Sequence, residues 1–215
     1  FALSNLKGQE DNFRRLGVWG DWANPYITLD QKFEGAQIRV FGQMATKGFL
    51  YKGLKSVSWC PTCETALAEA EVEYADHKSH SIYVKFEVAP QSREKLPKFV
   101  NADDQVNFVI WTTTTWTLPA NLGVALHPDF NYHFLKTREH GVLVVSEGLK
   151  EAFLSTIALG DVELVGEALG KELELIETKH PFIDRKSLVV LGDHVTNETG
   201  TGVVHTAPGH RREDF

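Results

Sequence analysis

The stretch that most constrains the fold runs from Val106 to Asn121. Val106–Ile110 is largely apolar and short, the pattern of a buried strand. It leads into Trp111-Thr112-Thr113-Thr114-Thr115-Trp116-Thr117-Leu118-Pro119-Ala120-Asn121, where proline and asparagine favour a turn. Threonine hydroxyls both donate and accept, so such a strand end can grip hydroxyls, ring nitrogens and carbonyls without charge. On residue type alone, a β-rich edge explains the stretch as well, because Thr and Trp both favour strands. A second polar strand end lies near residue 200. Gly200-Thr201-Gly202-Val203-Val204-His205-Thr206-Ala207-Pro208-Gly209-His210 leads to Glu213-Asp214-Phe215. A barrel mouth could bring the two strand ends together.

The rest of the second half supports this. Strands are expected at Ser81–Val88, Val106–Trp111, Leu122–Leu126, Tyr132–Lys136, Val142–Val145, Val162–Glu167, Leu173–Glu177, Ser187–Leu191 and Gly202–Thr206. One helix, Glu147–Ala158, interrupts them, and a shorter one spans Gln91–Phe99. Many short strands at turn-punctuated intervals argue for a barrel or sandwich. The N-terminal part differs. Leu3, Leu6, Phe13 and Leu16 fall at helical spacing, and Gly17 ends that helix. A second helix follows from Asp30, a good N-cap, to Thr46, and Gly48 stops it. Between them, residues 18–26 form an aromatic loop, either a packed connector or a docking surface. The class is therefore α+β: a mainly β-barrel-like body behind a helical N-terminal segment. Short strands are expected at Phe49–Tyr51 and Val57–Trp59. Acidic and small residues alternate over Ala68–Tyr74, which suits a strand with one wet face.

Composition removes several functions. A net charge of −7 argues against holding nucleic acid by bulk electrostatics. No apolar run approaches the roughly 18 residues of a membrane span, and no signal peptide is visible, so a cytoplasmic protein cut from something longer is expected. No glycine-rich phosphate loop follows a strand, and no Gly-x-Ser-x-Gly elbow supplies a nucleophilic serine. Cys60 and Cys63 are the only cysteines. Their Cys-x-x-Cys spacing fits half of a tetrahedral zinc site and equally fits two idle thiols; His77 and His80 are the nearest further candidates.

Leu16–Trp22, Trp59–Tyr74, Trp111–Asn121 and Gly200–Asp214 together resemble consecutive landmarks of the isoleucyl-tRNA synthetase family, around its editing (connective peptide) domain. Related valyl and leucyl enzymes usually carry Thr-Thr-Arg-Pro in the threonine strand, so Thr-Thr-Thr-Thr-Trp-Thr-Leu-Pro-Ala-Asn favours the isoleucyl branch. The His-x-Gly-His and Lys-Met-Ser-Lys-Ser signatures of adenylate synthesis are absent from this stretch. The resemblance implies a connective segment over residues 1–77 with the Cys-x-x-Cys knuckle, and an editing domain over 78–215, incomplete at its C-terminal end.

What it implies for function is hydrolysis of valine mis-esterified to isoleucine tRNA, and of valyl-adenylate. A pocket for isoleucine gains only about 1–3 kcal/mol per methylene against valine, a limit for which isoleucyl-tRNA synthetases are the standard illustration. By the resemblance, Asp214 anchors the α-ammonium and His205 walls off the larger side chain. Thr112, Thr113 and Thr114 bind the terminal adenosine and amino acid, with Thr114 beside the reacting ester. Asn121 fixes that strand, and Trp111 offers the adenosine a face. The implied partners are the isoleucine tRNA 3′ end, mischarged valyl-tRNA and the rest of the synthetase, with no membrane. Cys60 and Cys63 are candidates to hold zinc in the full-length parent, and editing itself requires no cofactor. Two positions depart from the family pattern: Thr115 stands where proline is usual, and Arg211 where glycine is usual. If position 211 demands a positive φ, arginine is strained there. The rival reading is then a catalytically impaired module that clamps an RNA end or is only structural.

Overall fold

The computed structural model describes residues 1–215 and divides into two compact units, Phe1–Leu54 and Lys55–Phe215. The first holds two helices, α1 (Ala2–Arg15) and α2 (Gln31–Thr46). Asp30 caps α2 as expected, its carboxylate accepting from the Lys32 amide at 2.7 Å. Gly17 and Gly48 end the helices with φ of +80° and +77°, values that favour glycine. The aromatic loop is partly packed within its own unit: Tyr26 meets Phe33 edge-on, and the Arg14 guanidinium lies over Trp22. Neither helix buries a residue, and Trp19 and Phe41 are exposed.

The second unit begins with a small ribbon, β1 (Trp59–Cys60) against β2 (Thr65–Ala66). Its body is made of two open sheets. One holds β3 (Ile82–Glu87), β4 (Val106–Thr112), β7 (Gly141–Ser146), β6 (Asn131–Thr137) and β8 (Glu163–Leu169), in that order. The other runs β11 (Val203–Thr206), β5 (Gly123–Leu126), β10 (Lys186–Leu191), β9 (Glu177–Lys179). The main core lies between them: Phe86, Phe108 and Phe134 from the first sheet meet Val124, Val189 and Val203 from the second. A bridge between Val88 and Thr178 joins the sheets along one side. The body is thus barrel-like but not closed.

Strand β4 explains its own sequence. Val106, Phe108 and Ile110 face the main core, while Val109 faces a second cluster formed with Leu135, Leu143, Val145 and Phe153 of α3 (Lys150–Ile157). It pairs antiparallel with β3 and parallel with β7. A strand covered on both faces reads as a continuous apolar run.

Several expected elements differ. Ala68–Tyr74 is no strand: Glu69–Glu71 is a 3-10 turn, with the Ala68 amide donating to the Glu71 carboxylate at 2.7 Å. The alternation there reflects no buried face, since only Leu67 and Val72 are even half-buried. Of the strands expected at 49–51 and 57–59, only Trp59–Cys60 pairs, because only it finds a partner. The helix expected over Gln91–Phe99 is a 3-10 segment, Pro90–Lys95. Leu173–Glu177 is a loop that drops Leu173 and Ile176 into the core, turning at Leu175 with φ +62°; the strand starts only at Glu177.

Candidate functional site

The two polar strand ends meet. Strand β4 ends at Thr112, whose hydroxyl accepts from the Thr114 amide at 3.0 Å. This small side-chain turn redirects the chain into a 3-10 segment, Thr115–Ala120. Thr115 opens that segment, so the residue that replaces the family's proline sits at a position where proline is merely favoured. Residues 180–185 brace it from outside. His180 Nε2 lies 2.8 Å from the Leu118 carbonyl, and Arg185 donates to the Pro119 carbonyl at 2.6 Å.

The second strand end is positioned by glycine. A β-carbon at Gly202 would come within 2.3 Å of Ser146 Cβ, and φ there is +69°. The close approach lets the buried Tyr132 hydroxyl donate to the Gly202 carbonyl at 2.7 Å while accepting from the His127 amide at 2.9 Å. Burial pushes the Tyr132 phenol well above its usual range. Strand β11 then runs antiparallel to β5, with His205 opposite Val124.

At the junction sits a closed set of hydrogen bonds. His205 is 3% exposed. Its Nε2 lies 2.8 Å from Thr117 Oγ1, and its Nδ1 lies 3.2 Å from Asn121 Nδ2. The Asn121 amide also donates to the Gly123 carbonyl at 2.8 Å, and its oxygen accepts from the Ser187 hydroxyl. Thr117 donates to the Thr114 carbonyl at 2.8 Å. Desolvation, the largest influence, lowers the His205 pKa below the usual imidazole value; the Asp214 carboxylate opposes this, and Arg211, His180 and His210 reinforce it. Both ring nitrogens are engaged.

Asp214 follows two turns later. Its Oδ2 accepts from the Ala207 amide at 2.7 Å, while its Oδ1 is buried without a partner. The Thr206 hydroxyl nearby in sequence is likewise buried and unpartnered. Arg211 does not have positive φ, so the substitution brings no backbone strain. Its amide bonds to the Ala207 carbonyl at 3.2 Å, and Arg212 approaches Glu69 at 4.0 Å on the surface.

Of the residues singled out from sequence, Thr112, Thr114, Asn121 and His205 are linked directly or through Thr117. Trp111 packs instead against Gly200. Thr113 is exposed, and its carbonyl accepts from Ser79. Thr117 and Ser187 were not singled out. Thr117 lies inside the threonine run and was discoverable there; Ser187 sits in an apolar strand with no local signal. An open cleft of about 570 Å³ is lined by Val57, Leu67, Tyr74, His210, Arg212 and Glu213, the last next to Asp214 in the chain; Asp214, His205 and the threonines do not line it.

Cys60 and Cys63 stand apart on the β1–β2 ribbon. The Cys63 amide donates to Cys60 Sγ at 3.3 Å and lowers the Cys60 pKa, as suits a metal-binding thiolate. No third His, Cys, Asp or Glu gathers with them. The pair fits half of a tetrahedral zinc site.

Residues 1–197 match the model of the tRNA synthetases class I (I, L, M and V). The chain belongs to this class I synthetase family. It is 54% identical over 215 residues to the isoleucine–tRNA ligase of Caldicellulosiruptor bescii, covering all of this chain and 23% of that protein. The isoleucine–tRNA ligase of Carboxydothermus hydrogenoformans is 55% identical over 215 residues, with 22% of its length covered. The chain thus spans under a quarter of the synthetases it matches. Among solved structures, the P. knowlesi cytosolic leucyl-tRNA synthetase editing domain superposes with a TM-score of 0.49 at 14% identity, over 62% of this chain and 58% of that one. No helix here is long and apolar enough to cross a membrane.

Proposed function

We propose that this chain is the editing module of an isoleucyl-tRNA synthetase and hydrolyses valine mis-esterified to isoleucine tRNA. The observation that carries the reading is the buried, unpartnered Oδ1 of Asp214, a carboxylate whose charge reaches the buried, doubly bonded ring of His205. A carboxylate oxygen held out of water without a donor is costly unless a ligand supplies one, and an α-ammonium does so. The uncharged hydroxyls at 113 and 114 suit the terminal ribose and base. Water adds to the ester carbonyl carbon, the bond to the ribose oxygen breaks, and the proton passes to that oxygen. The products are free valine and deacylated tRNA.

His205 has no free lone pair with which to take a proton, so its contribution is shape. An imidazole wall refuses one extra methylene by overlap. Relatives named as isoleucine–tRNA ligases support the substrate, and the partners are then the isoleucine tRNA 3′ end and the remainder of the synthetase. The strain that would have favoured an inactive clamp is not present at Arg211.

The test is deacylation of valyl- and isoleucyl-tRNA by the full-length enzyme and its His205→Ala variant. The expected result is valine clearance by both and isoleucine clearance only by the variant. A general-base role would instead depress both rates by about 10²–10⁴-fold. Intact valyl-tRNA after incubation with the unmodified enzyme would end the editing reading.

A further inference from the structure

We infer that His180 is a positioning residue for the editing reaction: with Arg185, it holds the 3-10 segment that joins Thr114 to Asn121, and so fixes where the threonine strand end presents its hydroxyls. This rests on the editing reading above. The segment needs outside support. Thr115–Ala120 is six residues of 3-10 geometry. Runs beyond three or four residues are uncommon, because their hydrogen bonds are poorly aligned. Pro119 lies inside the run and supplies no N–H. Where the segment closes, the Asn121 amide donates to the Leu118 carbonyl at 3.0 Å. The same carbonyl takes a second donor, His180 Nε2, at 2.8 Å, and Arg185 donates to the next carbonyl, that of Pro119. Two consecutive carbonyls are thus held from one loop, residues 180–185, between β9 and β10.

The donor on that loop is rigid. His180 is 5% exposed. A carbonyl only accepts, so Nε2 donates, while Nδ1 accepts from the amides of Ile183 at 3.2 Å and Phe182 at 3.4 Å. The ring also meets Phe86, a core residue of β3, and Phe182 edge-on. The loop closes on itself, the His180 amide donating to the Arg185 carbonyl at 2.9 Å and the Arg185 amide to the Ile183 carbonyl at 2.7 Å. Both donors therefore come from one tightly bonded turn, set against the core through Phe86. Leu118 in turn has its side chain in the main core and its carbonyl fixed by that turn.

No hydrogen bond joins His180 or Arg185 to Asp214, His205 or the threonine hydroxyls. They act through the backbone that follows Thr114. A shift of about 1 Å in a positioned group costs up to about 10²-fold in rate, so loosening this backbone slows the chemistry rather than the capture of the RNA.

The experiment uses the full-length synthetase and valyl-tRNA. In His180→Asn the amide oxygen stands near the place of Nδ1 and accepts the loop amides, but the side chain is too short to carry a donor to Leu118. In His180→Gln the longer side chain brings its NH₂ to that carbonyl. His180→Asn should lower kcat for deacylation by about tenfold or more, with KM within about threefold and aminoacylation unchanged. His180→Gln should return kcat to within about threefold of the unmodified enzyme. Because glutamine has no ring to titrate, that rescue assigns the effect to the bond and not to the charge His180 exerts on His205. Arg185→Met keeps the stem of a half-buried side chain and removes the second donor. It should lower kcat by about threefold or more, and it stands even where His180→Asn fails to fold. An undiminished kcat in His180→Asn or Arg185→Met, a rise in KM alone, or an equal loss in His180→Asn and His180→Gln would each overturn the inference. Failure of the unmodified enzyme to clear valyl-tRNA would instead overturn the editing reading itself.

Discussion

Trp111 closes on Gly200: a β-carbon at Gly200 would lie 3.1 Å from Trp111 Cε3 and 3.2 Å from its Cβ. Here the threonine strand and the glycine-threonine-glycine segment lock together before either reaches the site. Gly200 also has φ of +85°. Gly200→Ala should therefore lower stability by about 1–3 kcal/mol, from left-handed strain and crowding together. Chemical denaturation measures it. An unchanged midpoint would mean that the indole yields easily and the two segments are joined elsewhere.

Only one oxygen of Asp214, Oδ2, is engaged within the fold, by the Ala207 amide, and the proposed reading leaves the other to the substrate ammonium. Asp214→Asn can keep that backbone bond while losing the charge. It should retain the thermal midpoint and lose about 10–150-fold in valyl-tRNA hydrolysis, equivalent to about 1.5–3 kcal/mol for a charge-assisted bond. Asp214→Ala should lose the same activity and about 1 kcal/mol of stability besides. Equal activity in Asp214→Asn and the unmodified enzyme would remove the ammonium from this carboxylate.

The threonines divide in the same way. The Thr112 hydroxyl holds the Thr114 amide inside the fold, whereas the proposed reading gives those of Thr113 and Thr114 to the substrate. Thr112→Ala should reduce stability by about 1 kcal/mol. Paired Thr113→Ala and Thr114→Ala changes should spare stability and slow deacylation by about tenfold, the value of one hydrogen bond to a bound substrate. Undiminished hydrolysis in the pair would reduce the stretch to a β-rich edge.

The strands were legible wherever burial was two-sided or the alternation was real. Strand β4 announced itself because its alternate residues enter two different cores. Ala68–Tyr74 showed acidic and small residues alternating without a sheet to join, and sequence carries no record of a missing partner. Within the site, His205, Asn121 and Asp214 stood out through their segments. Ser187 did not, because its importance lies in which amide faces it. Ser187 reaches Asn121 from β10, a strand whose sequence gives no hint of that neighbour.

Acid should weaken the fold through His205. Its folded pKa lies below the ordinary value of about 6.5, mainly through desolvation, so the unfolded chain binds the proton more readily. The associated stability is present above pH 6.5 and is lost as pH falls below it towards the folded pKa. The denaturation midpoint should therefore drop between pH 7.5 and 5.5, and less steeply in His205→Gln. Parallel slopes in both proteins would place the acid sensitivity elsewhere.

For the metal, the 215-residue chain should bind less than one equivalent of zinc, while the full-length synthetase holds it stoichiometrically. Two thiolates leave half of the coordination shell to water. Elemental analysis of both decides it. A full equivalent in the short chain would require His77, His80 or another side chain to join Cys60 and Cys63.

The order of the four-stranded sheet has a temporal consequence. Strand β5 lies between β10 and β11, pairing parallel with one and antiparallel with the other, and both neighbours come after residue 185. During synthesis the threonine segment and β5 therefore emerge long before anything can complete their ladder. Such distant pairing is slow, and an unpaired apolar strand invites association with other chains while it waits. The same geometry that unites the two halves of the site delays its assembly until the last strand has left the ribosome.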